Sequence, residues 1–179
     1  MLARRLILTA NEYTWPKDNI EPVLFLGEWC RRYSRKAVWQ KLDAEVATYH
    51  WNDRQKFFND YQYIQDLYEK LLFDLSSKLN SIHSVNYSLR YWRIFVGPWL
   101  GLFIQILFDR WFMLKQTIEK ENITNCIIFD RDPISIVSND IKHFSNLHID
   151  DDWNEAIYAQ LLCLCWNDKV KIQKIKKPG

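Results

Sequence analysis

The sequence predicts a helix-rich α/β domain with a short parallel sheet, and three observations lead there. Three short apolar runs, Leu6–Thr9, Val23–Leu26 and Cys126–Phe129, lie far apart in the chain, as the buried strands of a parallel sheet do. The long stretches between them carry apolar residues at helical spacing. Only four glycines and five prolines punctuate 179 residues, too few for a tight-turned β architecture.

Taken in order, Leu6–Thr9 is the first strand, and Asn11–Glu21, with Trp15, Pro16, Asp18 and Asn19, is a loop. Val23–Leu26 is the second strand. From Ser34 the spacing of Val38, Leu42 and Val46 predicts a helix through Val46. Asn52 or Asp53 caps a longer one, whose core side carries Ile64, Leu67, Leu71, Leu75, Leu79 and Ile82. After a break at Ser84–Ser88, the segment Leu89–Val96 leads to Gly97-Pro98, a hinge into a helix reaching about Lys115. Cys126–Phe129 is the third strand, closed by the turn Asp130–Pro133. Asp150–Asp152 then form a capping cluster ahead of a helix from Trp153 to Cys165, and Lys169–Gly179 reads as a fraying strand or tail. One domain over residues 1–179 is the expected organisation, since the chain is long enough to bury its own core.

Composition excludes several classes. The chain is 48% apolar and 26% charged, which fits neither a disordered chain nor a membrane-embedded one. A net charge of +2 makes no demand for nucleic acid, and the basic runs at Arg31–Lys36 and Lys169–Lys177 read first as solvated faces. No signal-peptide pattern opens the sequence, and Cys30, Cys126, Cys163 and Cys165 form no CxxC pair. Free thiols in a cytoplasmic protein follow, rather than disulfides or a zinc site. The apolar run Ile94–Phe108 is shorter than the roughly 20 residues of a membrane helix. It reads as a buried core helix, with shallow contact at the inner face of a membrane as the second reading.

Ligands of open α/β sheets bind beyond the carboxyl ends of the strands. The segment after the second strand therefore supplies the first candidates. Gly27 lets the backbone turn, Glu28 offers a carboxylate as base, Trp29 a stacking face and Arg31 a guanidinium for phosphate. The rival reading is a plain strand-end turn with Glu28 paired to an arginine. His50, in the run Tyr49–Arg54, is a second candidate base, against a structural histidine. Arg90 and Arg93, set among aromatics before the Gly97-Pro98 break, could grip a diphosphate, against a surface of paired arginines. The carboxylates of Asp130-Arg131-Asp132 read as turn formers, so no metal is expected. Nucleotide-binding loops of the GxxxxGK and GxGxxG types are absent, as are GxSxG and HExxH.

The phrases VLFLGEWC, DYQYIQDLYEKLL and SLRYWRIFVGPWLG, with QILFDRW after them, resemble a family of transferases encoded in bacterial O-antigen and surface-carbohydrate gene clusters. The resemblance is dense from Val23 to Trp111 and thinner from Lys115 onward. It implies a glycosyltransferase-like enzyme whose amino-terminal, Rossmann-like half receives a glycan or lipid-linked acceptor, while a carboxyl-terminal half binds a nucleotide-activated sugar as co-substrate. Family members are longer than this chain, so residues 1–179 are expected to be the acceptor-side part of a longer transferase. The family lends no catalytic residue, and the chain alone is expected to lack activity. A reading from another class is a non-catalytic module that docks a partner protein or a membrane through Trp99, Trp111 and Phe112.

Overall fold

The computed structural model describes residues 3–17 and 21–178, so Asp18 and Asn19 of the expected loop, and the terminal Gly179, lie outside the described residues. Two compact units emerge, Met1–His50 with Arg110–Gly179, and Trp51–Asp109.

The first unit holds a five-stranded parallel sheet in the order β3-β2-β1-β4-β5. Its strands are β1 (Arg4–Ile7), β2 (Val23–Phe25), β3 (Ala44–Val46), β4 (Ile123–Phe129) and β5 (Lys171–Ile175). The helices along the chain are α1 (Lys36–Trp39), α2 (Arg54–His83), α3 (Leu89–Phe95), α4 (Gly97–Lys120), α5 (Ile141–Leu147) and α6 (Asp151–Cys165). The expected helix-rich, Rossmann-like α/β fold is therefore present, with β3 a strand the sequence did not signal and β5 formed within the segment read as a fraying strand or tail.

Alternation along the strands explains how this sheet is covered on both faces. Leu6, Leu8, Leu24, Leu26, Cys126 and Ile128 point to one face, where Met113 and Leu114 of α4 and Tyr158 and Leu162 of α6 cover them. Ile7, Val23 and Phe25 point to the other, against Trp15, Cys30, Val38 and Trp39. Each such side chain, taken fully out of water, stabilises by roughly 1.5–3 kcal/mol. This arrangement corrects the helix expected from Ser34 through Val46. Only a turn at Tyr33–Arg35 and the single turn α1 form there, after which Ala44–Val46 pairs residue for residue with Val23–Phe25. Val38 and Leu42 still face the core, but of the sheet's second face rather than as one helical stripe.

The second unit is helical. Asp53 caps α2, its carboxylate accepting from the amides of Gln55 (2.9 Å) and Lys56 (3.1 Å). The buried stripe runs through Ile64, Tyr68, Leu72 and Leu75 and meets Leu100 and Ile104 of α4. Leu71 and Ile82, expected on that stripe, are 37% and 72% exposed. Leu72, fully buried, takes the core place expected of Leu71, because the steps of four from Ile64 through Tyr68 to Leu72 are the ones that meet α4. Ser84, at φ 53°, ends α2 in the left-handed region. Asn80 then clamps the turn, accepting from the Tyr87 amide and the Trp92 indole and donating to the Tyr87 carbonyl at 2.9–3.0 Å.

The Gly97-Pro98 hinge is where expected: α3 and α4 meet at a 67° bend. Pro98 sits in the first turn of α4, where a missing N–H costs nothing. Among the described residues, no single helix is long and apolar enough to cross a membrane.

Candidate functional site

From β1 the chain moves outward to β2 and β3, then crosses to β4 and β5 on the other side. The strand order therefore reverses between β1 and β4, and the crevice beyond their carboxyl ends is where such sheets bind ligands. The loops after β1, β2 and β4 and the carboxyl-terminal residues after β5 all send polar side chains to one place there, the first turn of α6.

That turn is built by three consecutive aspartates. Asp150 is the cap, accepting from the amides of Asp152 (2.8 Å) and Trp153 (3.2 Å). Asp151 pairs with Arg32, from beyond β2. Asp152 accepts from Asn11 (3.1 Å), beyond β1, and from Arg131 (3.0 Å), beyond β4, and pairs with Lys177, beyond β5. One turn further, Glu155 is 0% exposed, accepts from the Phe129 amide (2.9 Å) and lies 3.3 Å from the Arg131 guanidinium. Carboxylates in a first helical turn are favoured by the helix dipole, and these are also neutralised by three cations.

Environment drives the neighbouring carboxyls apart. Burial pushes Asp151 above the ordinary aspartate value; Asp150 and Asp152 add to the rise and Arg32 opposes it. Asp152 also feels burial, but hydrogen bonds from Lys177 and Arg131 outweigh it and hold it below that value. Burial raises Glu155, against the Phe129 amide and Arg131. Carboxyls separated in this way are the usual arrangement for one group that exchanges a proton and one that stays ionised. Beside them, a hollow of about 310 Å³ opens between β4 and α6, with Arg131, Asp132, Gln160, Cys163 and Lys174 around the small Ala156 and Ala159.

The residues singled out in the sequence divide between the two units. Gly27, Glu28, Trp29 and Arg31 stand at the carboxyl edge, as expected. Gly27 serves differently from the expectation, because its backbone is extended (φ −173°) rather than turned. A Cβ there would lie 2.1 Å from the Trp29 ring, so glycine leaves room for the indole. Trp29 donates to the Leu8 carbonyl (3.0 Å) and lies parallel to the Tyr158 ring, centroids 6.4 Å apart. Arg31 grips the exposed Glu28 at 2.5–3.1 Å and covers the Trp39 ring. His50 is 2% exposed, stacked on Phe112 and tilted against Tyr49. Arg90 and Arg93 belong to the second unit: Arg90 is exposed on α3, and Arg93 makes two 2.6 Å bonds to Glu69. Asp130 pairs loosely with Lys174, and Asp132 caps a turn at Pro133–Ile136.

Asn11, Arg32, Arg131, Asp151, Asp152 and Glu155 escaped the sequence reading as site residues. The aspartates look like a cap and the DRD run looks like a turn, and both do serve those roles. The signal that finds them is topological, since only the adjacency of β1 and β4 brings residues more than a hundred positions apart together.

The sequence profile of the LIC12162 family transferase matches residues 4–178, and the chain belongs to that family. Neither a curated protein nor a solved structure matches it significantly.

Proposed function

We propose, from membership in this transferase family and from the carboxyl edge, that the protein acts in glycosyl transfer for bacterial surface polysaccharide or O-antigen synthesis. In this reading the chain is the acceptor-side part of a longer enzyme. The donor is a nucleotide-activated sugar and the acceptor a glycan or lipid-linked precursor. The observation that carries the reading is the convergence of Asn11, Arg32, Arg131 and Lys177, from beyond four strands, on Asp151 and Asp152 at the strand-order reversal. Asp151 accepts the proton of an acceptor hydroxyl while that oxygen bonds to the anomeric carbon and the nucleotide diphosphate departs with the bonding pair. Asp152, held ionised by Arg131 and Lys177, keeps the loops assembled. Glu28 and Arg31 flank the acceptor, with Trp29 as its stacking face, and His50 supports the aromatic layer beneath.

The test is turnover of labelled nucleotide sugars on the native precursor, by the protein with whatever its reading frame continues into. Asp151→Asn should lower kcat by about 10²–10⁴-fold. Glu28→Gln should chiefly raise KM. Full turnover by the Asp151 variant would remove it as base.

A second reading, peripheral docking on the inner face of a membrane, is favoured by Ile94 and Phe95, 71% and 70% exposed on α3. Trp99, Trp111 and Phe112, the aromatics first considered for docking, are half-buried. Flotation with anionic phospholipid vesicles that is lost in the Ile94→Asp, Phe95→Asp double variant supports this reading; vesicles that leave the protein behind refute it.

A further inference from the structure

The second unit contains a groove that the carboxyl-edge reading does not use. It runs between α2 and α4 beside the end of α3 and encloses about 450 Å³, within the range of small-molecule sites. Two glycines one helical turn apart, Gly97 and Gly101, open it. A Cβ on Gly97 would come within 2.6 Å of the Tyr68 hydroxyl, and one on Gly101 would touch the Tyr68 ring at 3.6 Å. A side chain at Gly97 would displace the Tyr68 hydroxyl, and a large one at Gly101 would fill the groove. Gly97 holds an ordinary backbone conformation, with no positive φ, so what glycine contributes there is space.

The chemistry around that space is polar but electrically neutral. Gln65 and Gln105 stand at its rim, the Tyr68 hydroxyl stands beside Gly97, and Ile64 contributes an apolar patch. The one charged lining residue is Arg93. Its guanidinium lies 5.8 Å from the centre of the Tyr68 ring, and Glu69 holds it by two 2.6 Å bonds. That hydrogen-bonded pair lowers the Glu69 carboxyl below its ordinary value and raises Arg93. The pair carries no net charge, and both terminal nitrogens of Arg93 already donate to Glu69, so the lining holds no unpaired cation to draw in a diphosphate. Two amides and a phenol, which donate and accept alike, match hydroxyl groups, which do the same. An apolar patch beside them suits the C–H face of a sugar ring.

We propose that this groove binds an uncharged sugar residue, such as one unit of the acceptor glycan, and that Arg93, paired with Glu69, serves there as a hydrogen-bonding wall rather than as a phosphate clamp. The identification of the sugar as acceptor rests on the glycosyl-transfer reading; the binding of the sugar does not.

Saturation-transfer NMR on the full chain tests it, with methyl glycosides of glucose, galactose, mannose and N-acetylglucosamine, and separately with inorganic pyrophosphate. At least one glycoside should receive saturation, and pyrophosphate should neither bind nor displace it. Gln105→Ala, at an exposed position that folding tolerates, should weaken binding roughly tenfold, the loss of about one good hydrogen bond. Gly101→Leu, checked for an unchanged circular dichroism spectrum, should abolish it. Silence from all four glycosides, pyrophosphate bound in their place, or wild-type binding by both variants would overturn the proposal. Glycoside binding without any turnover would instead sink the glycosyl-transfer reading and leave the groove standing.

Discussion

The two units of this chain hold themselves together differently. In the sheet unit, strands from both ends of the sequence lie side by side, and its polar site is tied by pairs such as Asn11–Asp152 and Arg32–Asp151. In the helical unit the core is a stripe on α2 against α4, and the polar contacts are nearer neighbours in sequence, such as Asn80–Trp92 and Glu69–Arg93. Long-range pairs at a sheet edge bring chemistry together from distant segments, whereas local pairs chiefly fix how successive helices meet. A site assembled in the first way is more exposed to single substitutions, because each loop depends on partners from the others.

The two units should differ most in their cores. Phe25→Ala, at the carboxyl end of β2, should cost about 3–5 kcal/mol by chemical denaturation, and Leu72→Ala, in the helical stripe, about 2–5 kcal/mol. Leu71→Ala, one position away, should cost far less; equal losses at Leu71 and Leu72 would mean that the stripe is misplaced. Ion pairs give the next contrast. Glu155→Ala leaves Arg131 and the Phe129 amide without their buried partner and should cost about 3–5 kcal/mol. Glu69→Ala breaks an exposed pair and should leave the melting temperature unmoved. Similar losses from both would remove the distinction drawn between the two sites.

A smaller and opposite effect is expected at Asp151. A carboxyl raised on folding favours the folded state most at low pH, and that contribution is lost as pH rises through its folded value. Asp151→Asn should therefore be as stable as the wild type in acid and slightly more stable at neutral pH. A less stable variant at neutral pH would contradict the raised value. The gain in stability would accompany the loss of turnover, the usual trade at a functional site.

Much of the fold was legible because burial leaves periodic traces. Val23–Leu26 and Cys126–Phe129 are continuous apolar runs, as strands covered on both faces must be, and Asp53 and Asp150 announce helix starts through their capping chemistry. The two edge strands left no such trace. β3 is three residues with only Val46 β-branched, and β5 alternates exposed Lys171, Gln173 and Lys174 with half-buried Ile172 and Ile175. A lysine-bearing edge discourages further strands from adding on, and in sequence it looks like a tail. The candidate site was legible only at its rim. Glu28 and Arg31 carry polarity beside a strand that can be recognised, whereas Asp151 and Arg131 resemble caps and turns until the order of the strands is known. Arg93 was found but its partner was not, because Glu69 lies 24 residues away on another helix.

Burial of Asp151 and the cations on Asp152 set these adjacent carboxyls apart in acidity, and carboxyl-carbon NMR of both across an acid titration measures the separation. Asp151 should titrate above the ordinary aspartate value and Asp152 below it, with the separation collapsing in Lys177→Ala and Arg131→Gln variants as Asp152 rises. Coincident midpoints, or the reverse order, would rule out a base at Asp151 set apart from an ionised Asp152.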